Sequence, residues 1–221
     1  MQPAKPVAAA DLERLHTIQD QQIAPFLDSD GLMRRFEPCV RALPEADPFD
    51  IGKSLSIELV RMGFPRLGDD QLIRFNEVRL AMAATSRPAC AQLWTGGLED
   101  QDLEVTLAQL PEAQIADFYR LRAAAGIAGG NADGPPPRDP EGIELAAGEL
   151  RQRLGEEEWA RVQALLDDPE PTVDEACYLL QSVLGTASKM SAAAHARTVR
   201  ALLAEASAEP SPLPAACLFP K

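Results

Sequence analysis

Four cysteines, two histidines and two tryptophans are the residues of this chain with most to offer chemically. Cys39, Cys90, Cys177 and Cys217 include no C-x-x-C pair, and only His16 and His195 could join them around a metal. The ligand spacing of a zinc site is therefore missing. Four cysteines admit three disulfide connectivities. The pairing 39–90 with 177–217 keeps each bridge inside one half of the chain and pins the Pro-rich tail 210–220 through Cys217. Four buried free thiols in a cytosolic protein are the alternative.

Cys177 with His195 could in principle make a nucleophile and base, but no surrounding motif supports the pair. His195 falls in line with Val199, Leu202 and Leu203, and His16 lies beside the apolar stripe of its own segment. Both read as core or edge residues. Gly52-Lys53-Ser54 resembles the end of a phosphate loop, yet the upstream glycine and the preceding strand are absent. Asp28-Ser29-Asp30-Gly31 begins like a calcium loop, but Leu32 and Cys39 occupy positions that need oxygen ligands. It reads as a turn and helix cap. Glu156, Glu157 and Glu158 are placed to complement a helix macrodipole, not to form a catalytic carboxylate pair. The expectation is a protein that is not an enzyme, with no catalytic residue, no cofactor and no metal.

Charge points to the kind of partner. The formal net charge is −13, which argues against nucleic acid or an anionic membrane surface. Two blocks carry the excess. Residues 97–117 hold Glu99, Asp100, Asp102, Glu104, Glu112 and Asp117 with no base, and residues 139–175 are similarly acid-rich. Such blocks serve as a solvated face or as a patch that steers a basic protein partner. Trp94 and Trp159 each adjoin one block. Each fits a core anchor by its spacing, and an interface hot spot by its neighbours. The candidate partner-binding residues are thus Trp94, Glu99, Asp100, Asp102, Glu156, Glu157, Glu158 and Trp159.

The elements that must position these residues are helical throughout. Apolar residues recur at helical spacing along the whole chain, and no stretch alternates as a strand. Segments near 9–24, 30–43, 50–62, 69–85, 88–95, 99–109 and 111–125 precede a Gly/Pro-rich stretch at 126–139, and segments near 140–154, 156–167, 173–189 and 191–207 follow it. Pro25 is expected to stop the first of them. Thr172-Val173-Asp174-Glu175 has the pattern of a capping box. The fold class is all-α, a multi-helix bundle of about eight to ten helices open to division into two helical subdomains. The expected organisation is a flexible spacer 1–10, a helical domain 11–125, a linker 126–139, and a C-terminal four-helix region with an irregular tail, 140–221. No apolar run approaches the ~20 residues of a membrane span. A homo-oligomer is compatible with these features.

The stretch from Arg79 to Gly97 carries one further signal. A helical run ends, Cys90 follows Pro88, and Leu93-Trp94-Thr95-Gly96 closes the next turn. This segment resembles small helical exported proteins of proteobacteria, among them periplasmic immunity proteins that neutralise toxins delivered by type IV secretion systems of neighbouring bacteria. The resemblance covers residues 79–97 alone and carries no residue role with it. It implies a periplasmic protein that neutralises a toxin, and with the acidic charge the expected partner is a basic toxin or hydrolase whose site the chain occludes. A Pro/Ala-rich start at residues 1–10, of the kind that follows a removed leader, and a disulfide-compatible cysteine set agree with that expectation. A cytosolic helical adaptor or regulator is the alternative.

Overall fold

Wherever the sequence repeats leucine or alanine at three- and four-residue spacing, the chain is a helix. The computed structural model describes residues 7–95, 100–136, 139–207 and 210–219, and among these no residue is in a strand. The first six helices are α1 (Ala9–Leu27), α2 (Asp30–Ala42), α3 (Pro48–Gly63), α4 (Asp69–Ala83), α5 (Arg87–Thr95) and α6 (Asp100–Leu107). Then come α7 (Glu112–Gly130), α8 (Pro140–Leu154), α9 (Glu156–Leu166), α10 (Val173–Ala187), α11 (Ala192–Ser207) and α12 (Ala215–Leu218).

Local chemistry sets several helix starts. The Ser29 hydroxyl accepts from the Leu32 amide to cap α2, and Asp47 accepts from Phe49 to cap α3. At α10 the Glu175 amide donates to the Thr172 hydroxyl at 3.3 Å, while the Thr172 amide donates to the Glu175 carboxylate at 2.9 Å. Both halves of the expected capping box are therefore made.

Pro25 does not stop α1. The helix runs on to Leu27, because Phe26 is buried against α7 and the Asp28 amide still reaches the Ala24 carbonyl at 3.0 Å. The proline forfeits one hydrogen bond near the end of the helix, and burial of the next ring outweighs it.

The expected linker 126–139 needs a larger correction. Residues 126–130 are the last turn and a half of α7, and Gly126, Gly129 and Gly130 are buried. Glycine is needed here for close approach, not for flexibility. A Cβ on Gly129 would stand 1.9 Å from the Leu59 carbonyl oxygen of α3, and one on Gly63 would stand 1.7 Å from the Ala125 carbonyl oxygen of α7. Two helices touch backbone to backbone at that crossing. Arg35 of α2 then donates to the Gly130 carbonyl at 3.1 Å and to the Ala132 carbonyl, placing a cation on the C-terminal end of α7. Within 131–139 the chain is turn and coil where it is described.

The two halves also share one core. Residues of α2 to α5 and α7 pack in one apolar cluster with residues of α10, α11 and α12. Arg200 of α11 donates to the carbonyls of Pro65 and Leu67 at 3.2 and 3.0 Å and pairs with Asp69 at 2.8 Å. The cysteines follow the same cross-chain logic. Cys39 of α2 bonds Cys217 of α12, and Cys90 of α5 bonds Cys177 of α10. This replaces the expected pairing 39–90 and 177–217, because the helices that pack together come from opposite halves. The tail is pinned through Cys217 as expected, but to α2, and it contains a short helix whose Cys217 and Leu218 are buried. Of the expected 1–10 spacer, residues 1–6 lie outside the described residues and α1 begins at Ala9.

Candidate functional site

Five helices bring the two tryptophans to one place. Trp94 lies one turn beyond Cys90 on α5, which the Cys90–Cys177 bridge holds against α10. Trp159 lies in the first turn of α9, its amide donating to the Gly155 carbonyl at 2.9 Å. Gly155 has φ +83° and ψ 164°, a backbone conformation essentially restricted to glycine, where the chain passes from α8 into α9. Beneath them Leu150, Val162, Leu179 and Val183 form a small buried cluster.

Between these helices runs an apolar groove of about 170 Å³ lined by both tryptophans and by residues of α8, α10 and α11. Neither indole is fully buried. On α8, Ile143, Ala146 and Leu150 turn toward the groove at helical spacing. On α11 the corresponding row is Thr198, Ala201, Leu202 and Glu205. The Thr198 hydroxyl donates to the Ala194 carbonyl at 3.0 Å, so its proton is already engaged within α11. Leu166, 48% exposed, closes the end of α9 at the groove. Glu205 is an exposed carboxylate among apolar lining residues and makes no ion pair with a described residue. Sequence reasoning missed it, because Glu205 falls to one side of the stripe formed by His195, Val199, Leu202 and Leu203.

Of the acidic residues expected beside the tryptophans, Asp102, Glu156, Glu157 and Glu158 do not line this groove. Glu156 is taken up by Arg151, which donates to it at 2.6–3.0 Å and holds its carboxyl below the usual range. Glu158 accepts from the Tyr178 hydroxyl, whose titration is pushed up by burial and then by that carboxylate. Arg161 stacks over the same tyrosine ring at 4.0 Å. Glu157 is exposed on the outer side of α9. Asp102 accepts from Gln92 of α5 at 3.0 Å, close along that helix to Trp94. Asp100 starts α6, and Glu99 lies outside the described residues.

The first acidic block is not wholly a solvated face either. Asp117 is 8% exposed and binds Arg74 at 2.5 Å and Arg120. The outer face of α8 is more open. There Glu141 and Glu144 flank Leu145, which is 56% exposed.

The other sequence candidates are structural. Gly52-Lys53-Ser54 lies inside α3, and Ser29 caps α2 within the Asp28–Gly31 turn. His195 is buried, with Nε2 at 2.7 Å from the Asn76 side-chain nitrogen, and burial lowers its pKa. The Asn76 amide therefore donates to a neutral imidazole, and also to the Leu184 carbonyl at 3.2 Å. That link ties α4 to α10 and α11. Cys177 is engaged with Cys90 and carries no thiol to pair with His195. His16 faces Glu104 at 3.4 Å on the surface. Among the described residues no three His, Cys, Asp or Glu side chains gather as a metal site, and no helix is long and apolar enough to cross a membrane.

No family model, curated protein or solved structure matches the chain.

Proposed function

We propose that this chain is a periplasmic immunity protein that binds a basic toxin or hydrolase and neutralises it by occluding its site. The observation that carries the reading is the convergence of Trp94 and Trp159 on one apolar groove in an otherwise acidic protein. Partly exposed tryptophans in a concave apolar setting are the residues that dominate protein–protein binding energy. A net charge of −13 raises the encounter rate with a basic partner and disfavours acidic competitors. Two disulfides fit an oxidising compartment, and the resemblance of residues 79–97 to periplasmic immunity proteins points the same way.

The test is functional. Products of neighbouring genes are exported one at a time to the periplasm of a sensitive host, with and without this chain. The reading predicts one product that arrests growth and whose toxicity this chain relieves. It also predicts a complex of the two that weakens as salt rises. No relieved toxicity for any product overturns it. Four reactive thiols in the denatured protein purified from its natural compartment would instead place it as a cytosolic adaptor.

A further inference from the structure

We infer that the groove captures one aromatic or branched aliphatic side chain of the partner, with an arginine or lysine beside it that pairs with Glu205. This rests on the capture reading above and names what is captured. Size limits the occupant. A cavity of about 150 Å³ lined by aliphatic and aromatic side chains holds one benzene-sized molecule, and this groove measures about 170 Å³. A single large side chain fills it, and a whole helix does not.

The lining sets the chemistry of that side chain. Trp94, Leu150, Trp159, Val183 and Leu202 offer it no hydrogen-bond partner except at the indole edges, so a polar group set among them, away from Thr198 and Glu205, would lose its water without compensation. Charge sets the flanking residue. Glu205 lies one turn beyond Leu202 on the same wall, exposed and outside any ion pair with a described residue. Beyond Leu166 follow the exposed acids Asp167 and Asp168. An apolar residue entering the groove therefore brings its neighbours against carboxylates, which selects basic flanks and repels acidic ones.

The probe is a displayed library of random 12-residue peptides selected on the intact, disulfide-bonded chain. Parallel selections use Ala201→Phe, which fills the groove from its wall, and Glu205→Lys, which reverses only the charge. Thermal unfolding establishes that each variant is folded. The expected result is a consensus with one Phe, Trp, Leu or Ile and an Arg or Lys within about four positions of it. Such peptides should lose roughly tenfold or more in affinity on either variant. Peptides with acidic flanks, binding unaffected by both variants, or no enrichment at all would each overturn the inference.

The outcome is separable from the fate of the functional reading. If both variants still protect cells from the neighbouring toxin, capture stands and this groove is not its seat. If the wild-type chain protects against none, the capture reading itself fails.

Discussion

Gly129 of α7 lies so close to Leu59 of α3 that a methyl group in place of its hydrogen would come within 1.9 Å of the Leu59 carbonyl oxygen. The obstacle is backbone, which cannot rotate aside. Gly129→Ala is therefore expected to force the two helices apart and to cost about 3 kcal/mol or more. Gly148 on the outer side of α8 has open space where a methyl would stand, with nothing within 4 Å. Gly148→Ala is expected to stabilise by about 0.5–1 kcal/mol through helix propensity. Paired urea denaturations measure both. A neutral Gly129→Ala would refute the backbone contact between α3 and α7.

The bridges make a second prediction. Digestion without reductant should release one fragment pair joining Cys39 to Cys217 and another joining Cys90 to Cys177. Removing either bridge by paired Cys→Ala substitution should cost about 2–5 kcal/mol. The separations are 178 and 87 residues, a doubling worth only about 0.6 kcal/mol in loop entropy. The losses should therefore be similar while their consequences differ. Loss of 39–217 frees the four-residue α12 and leaves tryptophan emission unchanged. Loss of 90–177 loosens α5 beneath Trp94 and alters it.

His195 supplies a pH dependence. It is buried with Asn76, and desolvation lowers its pKa, with Glu77 opposing the shift. The unfolded chain binds the proton near pH ~6.5 and the folded chain only at lower pH. Stability is thus full above about pH 6.5 and falls as pH drops from there toward the lowered folded value, by at most about 1.4 kcal/mol per pH unit. His195→Gln keeps an acceptor for Asn76 but cannot titrate. Thermal midpoints between pH 7.5 and 5 should therefore fall less steeply in the variant. Equal slopes would contradict the buried neutral imidazole.

Helices were readable because their signals are local. Thr172 and Glu175 are three residues apart, and the stripe of Ala176, Leu179, Leu180, Val183 and Leu184 lies within α10. Gly126, Gly129 and Gly130 misled composition because a glycine that permits a close helix crossing has the same formula as one that loosens a linker. Which side it serves depends on Leu59 and Gly63, far away in sequence. Cysteine pairing failed for the same reason, since the contact of α5 with α10 decides it. The tryptophans were legible as candidates one at a time. Their meeting, and the part played by Ala201, Leu202 and Glu205, depends on how α5, α9 and α11 pack.

The most direct measurement of partner capture uses the fact that the chain has two tryptophans and both line the groove. Labelling the chain with fluorotryptophan should give two fluorine resonances, one from Trp94 and one from Trp159. On saturation with the neighbouring toxin that the chain neutralises, both resonances should shift and lose accessibility to a soluble paramagnetic quencher. A saturated complex in which both resonances stay in place and equally accessible would contradict the groove as the site of capture.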